Sequence, residues 1–256
     1  MASAPNANLP LFYKSLQPLN SQQHGTFKAK ATEKASWLAK EHAVPITVEE
    51  FPLAQRHFPI VFSSGENPVP LALMGLNEGV NTFFDEDGKM TTECYVPAYA
   101  RRYPFLLAKL DQNADQLSLC FDNSSGLVGE FDEGEALFAD GQPTEATQNI
   151  LKFNENFEQA GQRTRAFMEE LQKAGLLMDG EVSISRENEK PYIYRGFQMV
   201  NQDKLKEVRG DQLRKWNESG LLPLLFAHLF SLTLMREIFA RQAAMGKAPQ
   251  PADQQA

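Results

Sequence analysis

TEATQNILKFNENFEQAGQRTRAFMEELQKAG, residues 144–175, is the stretch whose reading decides the fold. Its apolar positions are Ile150, Phe153, Phe157, Ala160, Thr164, Phe167, Leu171 and Ala174, in steps that alternate three and four. Only Thr164 is half-polar. That spacing lays one stripe along a helix, so the sequence predicts an amphipathic helix of about 30 residues. Thr144 offers a hydroxyl to cap the first turn, and Gly175 offers a residue that can turn left-handed and end the last.

The chain changes character on either side of this helix. Before it, residues 57–63 and 69–76 read as strands separated by a Ser-Gly-Glu-Asn-Pro turn. Residues 81–84 read as another strand, Asp85-Glu86-Asp87-Gly88 as a hairpin turn, and residues 89–93 as the strand returning from it. Residues 27–32, 105–110, 116–122 and 136–138 are further strand candidates, the last inside a loop rich in glycine and acid at 123–141. Residues 36–41 read as a helical turn. Thr47 followed by Glu50 is a capping-box pattern heading a short helix to Gln55, with Pro52 tolerable only in its first turns. After the long helix, residues 181–185 and 192–199 read as a hairpin joined through residues 187–191. Asn201 and Asp211 then cap two helices, through Val208 and Glu218, and Gly220 breaks the chain before a final apolar helix.

The expected fold class is therefore α+β. An antiparallel, sheet-rich N-terminal half with short helices is followed by a mainly helical C-terminal half carrying a β-hairpin. The expected organisation is a single domain over residues 11–245, β-rich at 11–141 and helix-rich at 142–245. Disordered ends are expected at residues 1–10 and 246–256. No internal repeat of solenoid period is visible.

A chain of 256 residues with 42% hydrophobic and 23% charged residues is ordinary for a globular protein. Its net charge of −8 opposes nucleic acid or an anionic membrane as a general partner, because phosphate binding needs a concentrated positive surface. Residues 1–11 lack a basic segment followed by an apolar one, so no secretory signal is read and a cytoplasmic location is expected. Residues 221–239 form the longest apolar stretch, but they contain Pro223, His228, Arg236 and Glu237. They read as a buried helix and not as a membrane anchor. Cys94 and Cys120 are the only cysteines and read as free thiols.

One segment concentrates residues suited to recognition. Residues 95–105, Tyr-Val-Pro-Ala-Tyr-Ala-Arg-Arg-Tyr-Pro-Phe, place three tyrosines, two arginines and two prolines in eleven positions. Pro97 can open a short helix without losing a needed N–H, and Pro104 forces Tyr103 out of the helical region. Tyr95, Tyr99, Arg102 and Tyr103 are spaced to share a face. Arginine offers a planar fork of donors and stacks on rings, so such a face suits an anionic or aromatic guest. The alternative is that Arg101 and Arg102 pair with the chain's own carboxylates while the tyrosines fill the core.

Patterns that carry catalysis are missing. There is no Walker-type or dinucleotide-binding glycine loop and no G-x-S-x-G elbow. His24, His42, His57 and His228 stand apart, so a metal site would need His57 or His228 to converge with a distant carboxylate. The Asp85–Gly88 run lacks the closing glutamate of a calcium loop, and the acids at 130, 132, 133 and 135 read as a solvated loop. On the apolar final helix His228 and Ser231 read as satisfied core residues. Cys94 lies close in sequence to the two arginines, which can lower a thiol pKa. No metal and no cofactor is expected.

The segment at 95–105 resembles the signature of the bacterial SapC family. Its flanks fit the resemblance: Phe58-Pro-Ile-Val-Phe62 and residues 71–75 before it, Gly175-Leu-Leu177 after it, and Gly220-Leu-Leu with Ala227-His-Leu and Ser231-Leu232 near the end. The likeness runs from about residue 12 to about residue 241. Met90 departs from it, since a tryptophan is expected after the turn glycine. The resemblance implies an association with a paracrystalline bacterial surface layer, for which the family is named. It also implies kinship with accessory proteins encoded near outer-membrane receptors and flavin-dependent halogenase-like enzymes. It carries over no catalytic residues.

The resulting expectation is a non-catalytic cytoplasmic accessory protein. Tyr95, Tyr99, Arg101, Arg102 and Tyr103 would recognise a peptide, a carboxylate-bearing ligand or a partner protein, because arginine and tyrosine are enriched at binding hot spots. A link to a surface-layer or outer-membrane uptake system, but neither nucleic acid nor membrane insertion, goes with it. Two alternatives stay open: a metal-dependent, oxygenase-like modifying enzyme, and a structural component of a surface assembly.

Overall fold

The computed structural model describes residues 9–110, 116–184 and 191–248. The fold is α+β, with antiparallel sheets in the N-terminal half and helices in the C-terminal half. The chain divides into two compact units, each assembled from separated stretches. Residues 1–33 and 101–158 form the first, and residues 34–100 and 159–256 the second. Their boundaries do not follow the change of character near residue 141. The expected disordered ends lie mostly outside the described residues, as does the hairpin connection expected at 187–191 except for Pro191.

In the first unit, Leu16–Pro18, Ser118–Asp122 and Phe105–Ala108 form an antiparallel sheet in that order, with Phe105 opposite Phe121 and Leu106 opposite Cys120. Alternation along these strands sends side chains to two faces. Phe105 and Phe121 pack with Val128 and Leu137, and Ile150 of the long helix closes over them. Leu106 and Cys120 face the other way and pack with Tyr13. Lys28–Ala29 pairs with both Val128–Gly129 and Glu135–Ala136. The strand expected at 27–32 is therefore only two residues long, and that at 136–138 is replaced by two short pieces, Glu135–Ala136 and Phe138–Ala139.

The second unit is built on a five-stranded antiparallel sheet, in the order Leu177–Asp179, Phe197–Val200, Ile60–Ser63, Pro70–Leu73, Ala43–Pro45. Phe62 stacks on His228 at 4.5 Å from the helix Leu221–Ser231 and meets Phe167 of the long helix at 6.4 Å. The expected strand at 57–63 starts only at Ile60. His57 and Phe58 still donate their amides to Ala54, and Pro59 has no amide to give a ladder. The expected strand at 192–199 is two strands. Tyr192–Tyr194 pairs with Val182–Ile184 in the hairpin, and beyond Gly196 the segment Phe197–Val200 joins the main sheet. Leu177–Asp179 was not foreseen.

The long helix runs Glu145–Lys173. Thr144 Oγ1 accepts from the Thr147 amide at 3.4 Å and donates to the Ala136 carbonyl at 2.7 Å. At the other end Gly175 has φ +63°, and the Leu176 amide reaches back to the Leu171 carbonyl at 3.0 Å. Ala160, Thr164, Phe167 and Leu171 are buried as the stripe requires, whereas Ala174 is exposed. Thr164 is not a flaw in that stripe. Its hydroxyl donates to Ala160 O at 2.7 Å and accepts the Val48 amide at 3.0 Å, which the first turn of a helical segment leaves without an internal partner.

The capping box at Thr47 and Glu50 is present, and Pro52 falls in the first turn of Phe51–Ala54. Asn201 caps Gln202–Lys206 as expected. Asp211 does not cap the next helix. Gly210–Glu218 begins two residues earlier than such a cap implies, with Arg209 at the cap and Asp211 in the first turn, 3.1 Å from the Arg209 guanidinium. The final apolar stretch is two helices, Leu221–Ser231 and Met235–Ala244, joined through the 3-10 turn Leu232–Leu234. By length and composition alone, Leu221–Ala244 is sufficient to cross a membrane. In this fold Leu225, His228, Ser231 and Met235 are buried, while Phe226 and Phe230 are exposed.

The turn at residues 85–88 forms, with Asp85 Oδ1 accepting the amides of Asp87 and Lys89. The strands expected beside it shrink to a single bridge between Phe84 and Met90. Asn81 Oδ1 accepts the Phe83 amide, which the next ladder bond would need, and the Phe84 amide as well. Gly88 sits at φ +80° with its carbonyl accepting the Ala35 amide at 2.7 Å, and a Cβ there would overlap the backbone of Ala35 and Ser36. Gly88→Ala combines left-handed strain with a backbone clash. It is expected to cost roughly 2–5 kcal/mol, read as a drop in the urea midpoint. Gly65→Ala, also at positive φ but in open space, is the control and should cost only the strain, about 1 kcal/mol.

Candidate functional site

The segment at 95–105 forms a single short helix, Ala98–Arg101, after Pro97 and ahead of a cis Tyr103–Pro104 peptide. Its five recognition candidates divide between the two units at the 100/101 boundary. Tyr95 and Tyr99 belong to the second unit, and Arg101, Arg102 and Tyr103 to the first.

In the second unit the segment is fixed by Glu50. This carboxylate is buried, 5% exposed, and one oxygen serves the capping box through the Thr47 amide at 2.7 Å and hydroxyl at 3.0 Å. The other oxygen accepts from Tyr95 OH at 3.0 Å and from the Ala98 amide at 2.6 Å. A capping residue thereby holds the start of a second helix nearly fifty positions on. Trp37 Nε1 donates to Ala100 O at 3.2 Å, and Tyr99 is buried.

In the first unit the adjacent arginines take opposite roles. Arg101 is exposed, and its guanidinium lies 5.3 Å from the centroid of Phe153. Arg102 is buried, 8% exposed, with its guanidinium 4.3 Å from the Phe157 ring, 5.9 Å from Tyr13, and 3.4 Å from Glu158 Oε1. Phe153 and Phe157 are one helical turn apart on the long helix, so each arginine lands on its own ring.

Tyr103 continues the aromatic contacts, 5.3 Å from Tyr13 and 6.2 Å from Phe12. Its hydroxyl approaches Asp122 Oδ2 at 3.5 Å. Burial, with the Asp122 charge behind it, pushes the phenol up to about 12, so it stays protonated. Asp122 is wholly buried. Burial pulls its carboxyl up, but the Ser124 hydroxyl and the amides of Lys14, Ser124 and Ser15 outweigh that and hold it below the ordinary value.

Of the two histidines proposed for catalysis, His228 is engaged on both ring nitrogens. His228 donates from Nδ1 to Ile60 O at 2.7 Å and accepts the Val200 amide on Nε2 at 3.1 Å, so neither nitrogen offers a lone pair to a metal. Ser231 beside it accepts the Ile60 amide at 2.8 Å and donates to His228 O at 2.6 Å. His57 is half-buried, its ring 6.0 Å from Phe58. Among the described residues no cluster of three histidines, cysteines or carboxylates gathers. Cys94 reverses the sequence expectation. Burial pushes its thiol up to about 11, and the opposing charge is Arg241, neither of the signature arginines. An inert protonated thiol results.

A family model described as SapC matches residues 19–238. The chain belongs to the SapC family. No curated protein and no solved structure matches it. The SapC match takes in the whole of residues 95–105, the long helix with both phenylalanines, Glu50, Asp122 and His228. Tyr13, on which Arg102 also rests, and Arg241 lie outside the matched span.

Sequence reasoning found Glu50 through its capping spacing but not its second pair of partners, which lie too far along the chain to be signalled locally. It missed the roles of Phe153 and Phe157 because both also fit the core stripe. Asp122 carried no signal beyond being a carboxylate at the end of a strand.

Proposed function

We propose that this SapC-family protein is a non-catalytic accessory protein of the cytoplasm that binds a carboxylate-rich peptide segment of a partner protein. Arg101 makes the primary contact. The observation that carries the reading is the pair of neighbouring arginines, one exposed on Phe153 and the other buried on Phe157. A guanidinium laid on a ring loses little freedom on meeting a carboxylate, which favours it as an anchor. Arg102 and Tyr103 hold the backbone that follows Arg101. They act by positioning. The resemblance to the SapC family implies a surface-layer or outer-membrane uptake system as the setting.

The test is capture of partners from the native bacterium with the tagged full-length chain, comparing wild type, Arg101→Ala and Arg102→Ala. Arg101→Ala should weaken capture at least about tenfold while changing stability by less than about 1 kcal/mol. Arg102→Ala should destabilise by roughly 2–3 kcal/mol, because it removes ring packing and leaves Glu158 without its cation. Equal capture by wild type and Arg101→Ala, from folded protein, would reject the assignment.

A further inference from the structure

The helix Leu221–Ser231 buries one side against the sheet of the second unit and leaves the other uncovered. Phe226 is 40% exposed and Phe230 65%, with ring centroids 5.8 Å apart. Leu222 and Leu229 are half-buried beside them and Pro223 is exposed. Thr233 follows one turn on, its hydroxyl already donating to Phe230 O at 2.8 Å. Residues 219–235 contain no Asp, Glu, Lys or Arg. The uncovered face is therefore apolar and offers no free side-chain donor.

The charges around this face are one-sided. The helices Gly210–Glu218 and Phe51–Ala54 pack against Leu221–Ser231, and Met235–Ala244 continues from it through the 3-10 turn. Arg214 and Lys215 stand on the first of these, Arg56 two residues past the second, and Arg236 in the first turn of the third. All four are exposed, and none has an ion pair among the described residues. Of the neighbouring exposed acids, Asp211, Glu237 and Glu49 are paired with Arg209, Arg241 and Arg163. Glu218 alone stands against four cations.

We infer that this face docks on the surface of an anionic lipid bilayer. The rings of Phe226 and Phe230 enter the boundary between headgroups and acyl chains, and the four cations meet lipid phosphates around them. A protein partner would call for about one hydrogen bond per 100–200 Å² of interface, which this face does not supply. Acyl chains call for none. The helix lies on the bilayer and does not cross it, because Leu225, His228 and Ser231 tie its other side into the core. The net charge of −8 opposes an anionic surface from a distance, but screening confines charge effects to about 10 Å at ordinary salt, where the local cations decide. The face belongs to a different unit from Arg101 and is independent of the partner-binding reading.

Flotation of the full chain with vesicles tests it, using phosphatidylcholine alone and phosphatidylcholine mixed equally with phosphatidylglycerol. Binding to the anionic vesicles should be saturable, and to the neutral ones at least about tenfold weaker. Phe226→Ser/Phe230→Ser should weaken anionic-vesicle binding at least about tenfold, and so should Arg214→Gln/Lys215→Gln/Arg236→Gln. All five side chains are exposed, so both variants should keep the wild-type urea midpoint. In Phe230→Trp, brominated acyl chains should quench fluorescence that the wild type, with Trp37 and Trp216, retains. Absence of binding to anionic vesicles overturns the inference, as does full binding by the double serine variant or an unquenched Phe230→Trp. Self-association that the serine variant abolishes, without vesicle binding, would also overturn it and assign the face to a second copy of the chain.

Discussion

Asp122→Ala is expected to lower the stability of the protein by about 3–5 kcal/mol, the largest loss from any single polar side chain considered. The carboxylate is fully buried and gathers the Lys14 amide at 2.7 Å, the Ser124 hydroxyl at 2.7 Å and amide at 2.9 Å, and the Ser15 amide at 3.3 Å. Removing it strands several donors at once, each costing more than the bond was worth. Asp122→Asn keeps the shape but turns an NH2 group toward those donors, so it should recover little. The same bonds hold the folded pKa below the unfolded one. Stability from this group is therefore complete above the unfolded value, about 4, and is lost as pH falls through the folded value. Urea midpoints at pH 7 and at acid pH check both claims. A loss below about 1 kcal/mol at pH 7 would show that the amides find other partners.

His228 sets a second pH dependence, in a different window. Burial lowers its pKa from the ordinary 6.5 to about 4, although the bond to Ile60 O acts the other way. The neutral ring is the one the fold needs, since a proton on Nε2 would face the Val200 N–H. Between pH 6.5 and 4 the unfolded chain binds the proton and the folded one does not, so stability rises with pH across that window. The contribution is complete above 6.5, and roughly 3 kcal/mol is lost by the time pH reaches 4. Histidine ring NMR reads this directly, with His228→Leu identifying the resonance. The His228 signal should stay unchanged down to pH 5, and a midpoint near 6.5 would contradict the assignment. His228→Leu itself leaves the Ile60 carbonyl and Val200 amide unpartnered in the core and should cost about 2–4 kcal/mol.

Much of the local structure was legible, and for a common reason. Thr47 with Glu50, Asn201 ahead of its helix, the Asp85–Gly88 turn and Gly175 at the end of the long helix each act over three or four residues. Where expectation failed, a side chain or a missing donor had displaced a regular ladder. Asn81 consumed the amide of Phe83, and Pro59 shortened the strand at Ile60. At the recognition segment the residue types were readable but their roles were not. Arg101 and Arg102 are identical in chemistry and adjacent in sequence.

By itself, then, the sequence determined the long amphipathic helix, the capping and turn sites, the α+β character and, through residues 95–105, membership of the SapC family. Those depend on periodicity and on hydrogen bonds between near neighbours. The tertiary structure decided that Arg102 is buried on Phe157 while Arg101 stays exposed on Phe153. It also decided that Glu50 holds Tyr95 as well as its own helix cap, and that His228 bridges Ile60 and Val200. These outcomes join groups forty or more positions apart, except for the closer pairing of His228 with Val200. Close packing admits one side chain to each place, and no local rule states which one arrives.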